Sequence, residues 1–176
     1  HDIRGDAGNA GLSTSEAEQY THGMLTFLAL ALDRCADFNN ALSRWNASNQ
    51  KVMNLFGRQA LPMVWDFAEA NILGESVGGW STCVEYAADC VRVIPGTGIR
   101  TGIARQQDAA AEGAVDVDDV LVSTDPPYYN NIGYAALSDF FYAWLRRTIG
   151  GSYPDLFSTV LVPKVAELTA VPDRFE

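Results

Sequence analysis

Between Met24 and Phe38 apolar residues recur at alternating steps of four and three, through Leu28, Ala31 and Cys35, the spacing of one stripe on a helix. Leu25, Phe27, Leu30 and Leu32 widen that stripe nearly all round, so the helix is expected to be largely buried. Ser15 offers a cap, with Glu16 and Glu18 in the first turn, where the helix dipole favours acids. Asn39-Asn40 and the run 47–50 read as polar breaks around a short helix. Pro62 suits the first turn of another helix, with Trp65, Ala68 and Ile72 on one face and an end near Gly74. Thr82 and Glu85 match a capping box, followed by Val84, Ala87, Ala88 and Val91 at helical spacing and a stop at Pro95-Gly96. Residues 15–95 are therefore predicted to be mainly helical. Residues 1–14, polar and Gly-rich, are expected to be linker or disordered.

The pattern changes at residue 96. Ile103 to Asp108 predicts a short strand ending in an acid, and 116–119 predicts a turn. Val120-Leu121-Val122-Ser123 is a short apolar run of the buried-strand kind, leading straight into Asp125-Pro126-Pro127-Tyr128. A helix follows, on which Leu137, Phe140, Phe141, Trp144, Leu145 and Thr148 share a face, ended by Gly150-Gly151. Residues 156–162 predict one more buried strand, broken at Pro163. Strand, loop, helix and strand in that order predict an α/β fold, with part of a doubly wound sheet over 96–176.

Composition narrows the classes. The chain has 176 residues, enough for one domain with a core, and 48% of them are hydrophobic. Charged residues make up 19%, too few for disorder over most of the length. Asp33, Arg34 and Asp37 interrupt the longest apolar run, so no membrane partner is expected, and no secretory signal is visible. Three cysteines without a CxxC pair and two histidines predict no metal site and reduced thiols in the cytoplasm. The net charge of −10 counts against phosphate binding, with Arg146-Arg147 the one basic pair that stands out. The chain opens on His1 and stops at Glu176 without an element at either end, so it is expected to be a piece of a longer protein.

The Asp125–Tyr128 run carries chemistry. Ligands of open α/β folds bind where strands end, and this loop follows such an end. Two successive prolines fix two φ angles and remove two N–H donors, leaving a loop that presents acceptors. The Asp125 carboxylate and the Pro126 carbonyl can then accept both hydrogens of one amino group, leaving its lone pair open to an electrophilic methyl. Tyr128 offers a face on which an extruded base can stack. A rigid turn is the plainer use of Pro-Pro, and turn geometry the plainer use of Asn130 and Asn131. Phe140, Phe141 and Trp144 read as helix core, and Arg146 and Arg147 as partners of the helix dipole.

Asp-Pro-Pro-Tyr after an apolar strand resembles motif IV of amino-methyltransferases. The longer stretch 122–134, with 137–147 and Leu161-Val162-Pro163-Lys164, is similar to large prokaryotic adenine-specific DNA methylases often found with anti-phage systems. The resemblance covers residues 100–176 most clearly. It implies a partial Rossmann-like methyltransferase sheet and methylation of an adenine amino group in DNA, with S-adenosylmethionine as cofactor. Its implied catalytic residues are Asp125, Pro126, Pro127 and Tyr128, with Tyr128, Tyr129 and Asn130 against the substrate and Asp108 at the cofactor's adenosyl part. Asp108 also suits the start of a turn. The Phe-x-Gly-x-Gly cofactor loop of such enzymes is not in this sequence, so the remainder of the methylase is an expected partner. No cysteine follows a proline, which excludes cytosine carbon-5 chemistry. Amino groups of cytosine, RNA or protein, or a non-catalytic module of a larger complex, stay open as alternatives.

Overall fold

The computed structural model describes residues 2–58, 60–94, 102–108, 121–126, 132–165 and 167–169. Its elements are α1 (Ile3–Asn9), α2 (Thr14–Phe38), β1 (Arg44–Asn46), β2 (Lys51–Met53), α3 (Trp80–Val93) and α4 (Tyr134–Ile149). The architecture is mixed but mainly helical, with α1, α3 and α4 each packed on α2. No helix among the described residues is long and apolar enough to cross a membrane.

The chain entry departs from the expected linker, because Ile3–Asn9 is helical. Asp2 caps α1 by accepting the Gly5 N–H at 3.1 Å. At its other end Gly11 N–H reaches Gly8 O and Leu12 N–H reaches Ala7 O, a pairing that requires Gly11 to be left-handed, at φ 95°. Ser13, not Ser15, then caps α2. Its hydroxyl accepts from the Glu16 N–H, and the Glu16 carboxylate reaches back to the Ser13 N–H at 2.9 Å. These bonds hold the Glu16 carboxyl below its usual range.

Ala31 and Cys35 of α2 meet Cys83, Val84 and Ala87 of α3 in the tightest part of the core. α2 is less enclosed than its apolar circumference predicts, since Leu30 stays half exposed. Cys35 Sγ donates to Gly78 O, and Asn39 Nδ2 donates to the same carbonyl at 2.7 Å, closing the loop before α3 onto the end of α2. Burial pushes both thiols up, so Cys35 and Cys83 pack as small apolar groups.

Four other expectations are corrected. The run 47–50 is the tip of a hairpin, with Trp45 paired to Val52 across antiparallel strands. No helix forms from Pro62 to Gly74. There Asp66 Oδ1 takes the Phe67 N–H, Asn71 Oδ1 takes the Leu73 N–H, and Trp65 is fully exposed, so the stripe has nothing to cover. Helix α3 starts three residues early, with Gly79 in the cap position and Thr82 Oγ1 bonded to Glu75 O instead. Residues 156–162 form turns rather than a strand, because α4 side chains occupy their backbone groups: Tyr142 Oη donates to Thr159 O at 2.9 Å, and Arg146 Nε donates to Phe157 O.

Candidate functional site

Helix α4 lies where its apolar spacing predicts, ending at Gly150, and it lines an open cleft. Asp37 at the end of α2 sets the opposite wall. Its carbonyl accepts from the Leu55 N–H at 2.8 Å and its Oδ1 from the Phe56 N–H at 3.2 Å. Thus held, the Phe56 ring meets Phe141 at 5.1 Å and Phe140 at 5.6 Å between centroids, with Phe140 edge-on to Phe141. Beside this cluster opens a cavity of about 570 Å³, walled by Phe56, Arg58, Ile132, Tyr134, Leu137 and Phe141. The first turn of α4 borders it. Gly133 provides no side-chain cap, and the Ala135 N–H is taken instead by Glu167 Oε1 at 3.0 Å.

Ile132 and Tyr134 end the long stretch on which the methylase resemblance rests. Six residue steps separate Pro126 from Ile132, a reach of at most about 21 Å. Pro126, the last described residue of the Asp-Pro-Pro-Tyr run, therefore lies no farther than that from Ile132 on the cleft wall.

Of the predicted site residues, Asp125 and Pro126 are exposed at the end of 121–126, a segment outside helix and strand. Pro127, Tyr128, Tyr129 and Asn130 lie outside the described residues, as does the turn at 116–119. The expected buried strand at 120–123 is not observed over its described part: Leu121 is 96% exposed and Val122 73% exposed. Apolar alternation reports a demand for burial, and the one ladder among the described residues, β1 with β2, lies elsewhere. Asp108 ends the segment 102–108, which is likewise exposed and not a strand. The place expected for Asp108, at the end of a strand and against the cofactor's adenosyl part, thus has no described sheet to rest on. Among the described residues, no cleft joins a glycine-rich turn, a strand end and an acid.

Three participants escaped sequence reasoning. Phe56 and Arg58 follow a three-residue strand too short to signal itself, and only their place against α4 gives them a role. Asp33 reads along the sequence as a polar interruption of an apolar run, yet it is 7% exposed and its Oδ1 has no hydrogen-bond partner. Burial pushes its carboxyl from 3.8 up to about 7. Arg146 and Arg147 sit in the last turn of α4 as expected of dipole partners. Comparisons with protein-family models, curated protein sequences and solved structures give no match to this chain.

Proposed function

We propose that this chain orients the exocyclic amino group of an adenine in DNA for methylation, within a larger S-adenosylmethionine-dependent enzyme. The observation that carries the reading is the run Asp125-Pro126-Pro127-Tyr128, tethered to Ile132 and Tyr134 on the wall of an aromatic cleft. In this reading the Asp125 carboxylate and the Pro126 carbonyl accept the two N–H bonds of the amine. Pro127 stiffens the loop, Tyr128 stacks on the extruded base, and Tyr129 and Asn130 border it. S-adenosylmethionine would supply the electrophilic methyl group. Its seat, including the glycine-rich loop, is assigned to other segments of the enzyme. The exposed Leu121 and Val122 are read as strand residues that gain a Rossmann-like sheet when those segments pack against them. The setting proposed is the cytoplasm.

The exposure of Leu121, Val122, Asp125 and Pro126 also favours a second reading, a non-catalytic module that keeps the motif inside a larger complex. One experiment separates the two. The intact protein, incubated with labelled S-adenosylmethionine and adenine-containing DNA, is expected to label the adenine amino group. Asp125→Ala removes the acceptor and is expected to lower turnover by on the order of 10²–10³. Asp125→Asn removes the charge and adds donors, so it also impairs strongly. Asp125 is exposed, so melting should hardly change. Near-normal transfer by Asp125→Ala overturns the catalytic reading.

A further inference from the structure

Two arginines that line one cavity have no ionic or hydrogen-bond partner among the described residues: Arg44 on β1 and Arg58 after β2. Gly57 joins them, since a Cβ added there would lie 3.2 Å from Arg44 Nη2, so the guanidinium rests against the glycine. Both arginines line a cavity of about 230 Å³. Gly57 and Arg58 also line the cavity of about 570 Å³ beside α4. The two cavities adjoin at that shared wall. Guanidinium groups flank one end, and the rings of Phe56, Tyr134 and Phe141 line the other.

Several other cations among the described residues are engaged. Arg4 pairs with Glu18, Arg92 with Asp89 and Lys164 with Asp139, while Arg34 lies 4.2 Å from the centroid of the Tyr86 ring. Two unengaged arginines at one cavity in a chain of net charge −10 form a local anion site on a repelling background. A guanidinium presents a planar fork that matches a phosphate bidentately. An aromatic face beside it accepts an unstacked base of any sequence, which is how single strands are gripped.

We infer that Arg44, Arg58 and Tyr134 form a groove for single-stranded DNA, the arginines on successive phosphates and Tyr134 stacked on an unpaired base next to the one methylated. This placement rests on the adenine reading, but the groove is testable without it. The probe is a fluorescent single-stranded oligodeoxynucleotide containing adenine, titrated with this chain across a salt series and followed by anisotropy. Arg44→Gln with Arg58→Gln keeps both exposed stems and removes both charges. The log–log salt slope is expected to fall by about 1.4, since each phosphate contact on a single strand contributes about 0.7. Tyr134→Ala should weaken binding by about fivefold to a hundredfold with the slope unchanged, and Tyr134→Phe should restore it. Arg92→Ala, engaged with Asp89, serves as the control and should match the parent.

An unchanged slope in the double arginine variant overturns the groove, as does a parent chain that fails to bind the oligonucleotide. If the intact protein methylates DNA while the slope ignores the arginines, the groove falls and the adenine reading stands. If the slope drops as expected while the intact protein transfers no methyl group, the groove stands and the adenine reading falls.

Discussion

Lys164 Nζ lies 2.7 Å from Asp139 Oδ2, while Asp139 Oδ1 accepts the Val162 N–H at 2.9 Å. One carboxylate thereby fastens the Leu161–Lys164 segment to the middle of α4, joining two of the stretches that carry the methylase resemblance. Tyr142 and Glu167 add bonds on either side. The segment after α4 is thus wrapped on the helix by side chains.

Asp139 is expected to matter more than Lys164. Their side chains are 23% and 32% exposed, so neither charge is fully solvated. Asp139→Ala strands the Val162 N–H and takes the carboxylate from the Lys164 ammonium, which keeps its bond to the Val162 carbonyl, a loss of about 1–3 kcal/mol. Asp139→Asn keeps an acceptor for Val162 and should cost about half as much. Lys164→Met removes a partly screened attraction and a bond to the Val162 carbonyl that the solvated segment can replace with water, about 1 kcal/mol. Urea unfolding at constant m checks that order. Equal losses for Asp139→Ala and Lys164→Met would show that the Val162 N–H bond contributes nothing.

Two glycines should respond with opposite signs. A Cβ on Gly78 would lie 2.6 Å from Phe38 Cβ, at the junction where Cys35 and Asn39 meet the Gly78 carbonyl. Neither atom is the flexible end of a side chain, so Gly78→Ala must move backbone and should destabilise by about 1–3 kcal/mol. Gly23 lies inside α2, and nothing stands within 4 Å of its added Cβ. Gly23→Ala removes only backbone entropy from the unfolded chain and should stabilise by about 0.4–1 kcal/mol. Thermal melts of the two variants should shift in opposite directions.

Periodicity made α4 legible because its apolar face is paid back by real neighbours: Phe140 and Phe141 against Phe56, and Tyr142 against Phe157. The same spacing misled at Trp65, Ala68 and Ile72, where local Asp66 and Asn71 bonds win and no surface waits to be covered. Caps were legible to within three residues. Ser13 and Ser15 look alike along the sequence, and the reciprocal Glu16 bond decides between them. Residues 47–50 form a hairpin loop in which Gln50 takes φ 48° and Asn46 Oδ1 holds the Asn49 N–H, a geometry that polar composition alone does not distinguish from a helix break. The Asp125–Tyr128 proposal rests on residue types, whereas the cleft depends on Phe56 and Arg58, some seventy positions upstream.

Asp33 gives the chain a pH dependence with a definite sign. It shares a helical face with Thr26 and Asp37, seven residues before it and four after. Thr26 Oγ1 lies 2.9 Å from Tyr153 Oη, and Asp37 holds Phe56, so that face of α2 is covered from the α4 side. Burial there raises the Asp33 carboxyl from 3.8 to about 7, with Oδ1 unpartnered among the described residues. The folded chain therefore keeps a proton that the unfolded chain gives up near its ordinary value. Between those two values the native state binds more protons, so the unfolding free energy falls as pH rises. The contribution is fully present below the unfolded value and lost as pH passes the folded one. Its steepest slope is about 1.4 kcal/mol per pH unit. Asp33→Asn carries no titrating proton and should lack this slope. Because other carboxylates also titrate, the informative curve is the stability of Asp33→Asn minus that of the parent, measured by urea unfolding from acid to mildly alkaline pH. It should rise with pH through the window and level off above about pH 7. A flat difference curve would mean that water reaches the carboxylate, and a falling one would require an unseen cationic partner beside it.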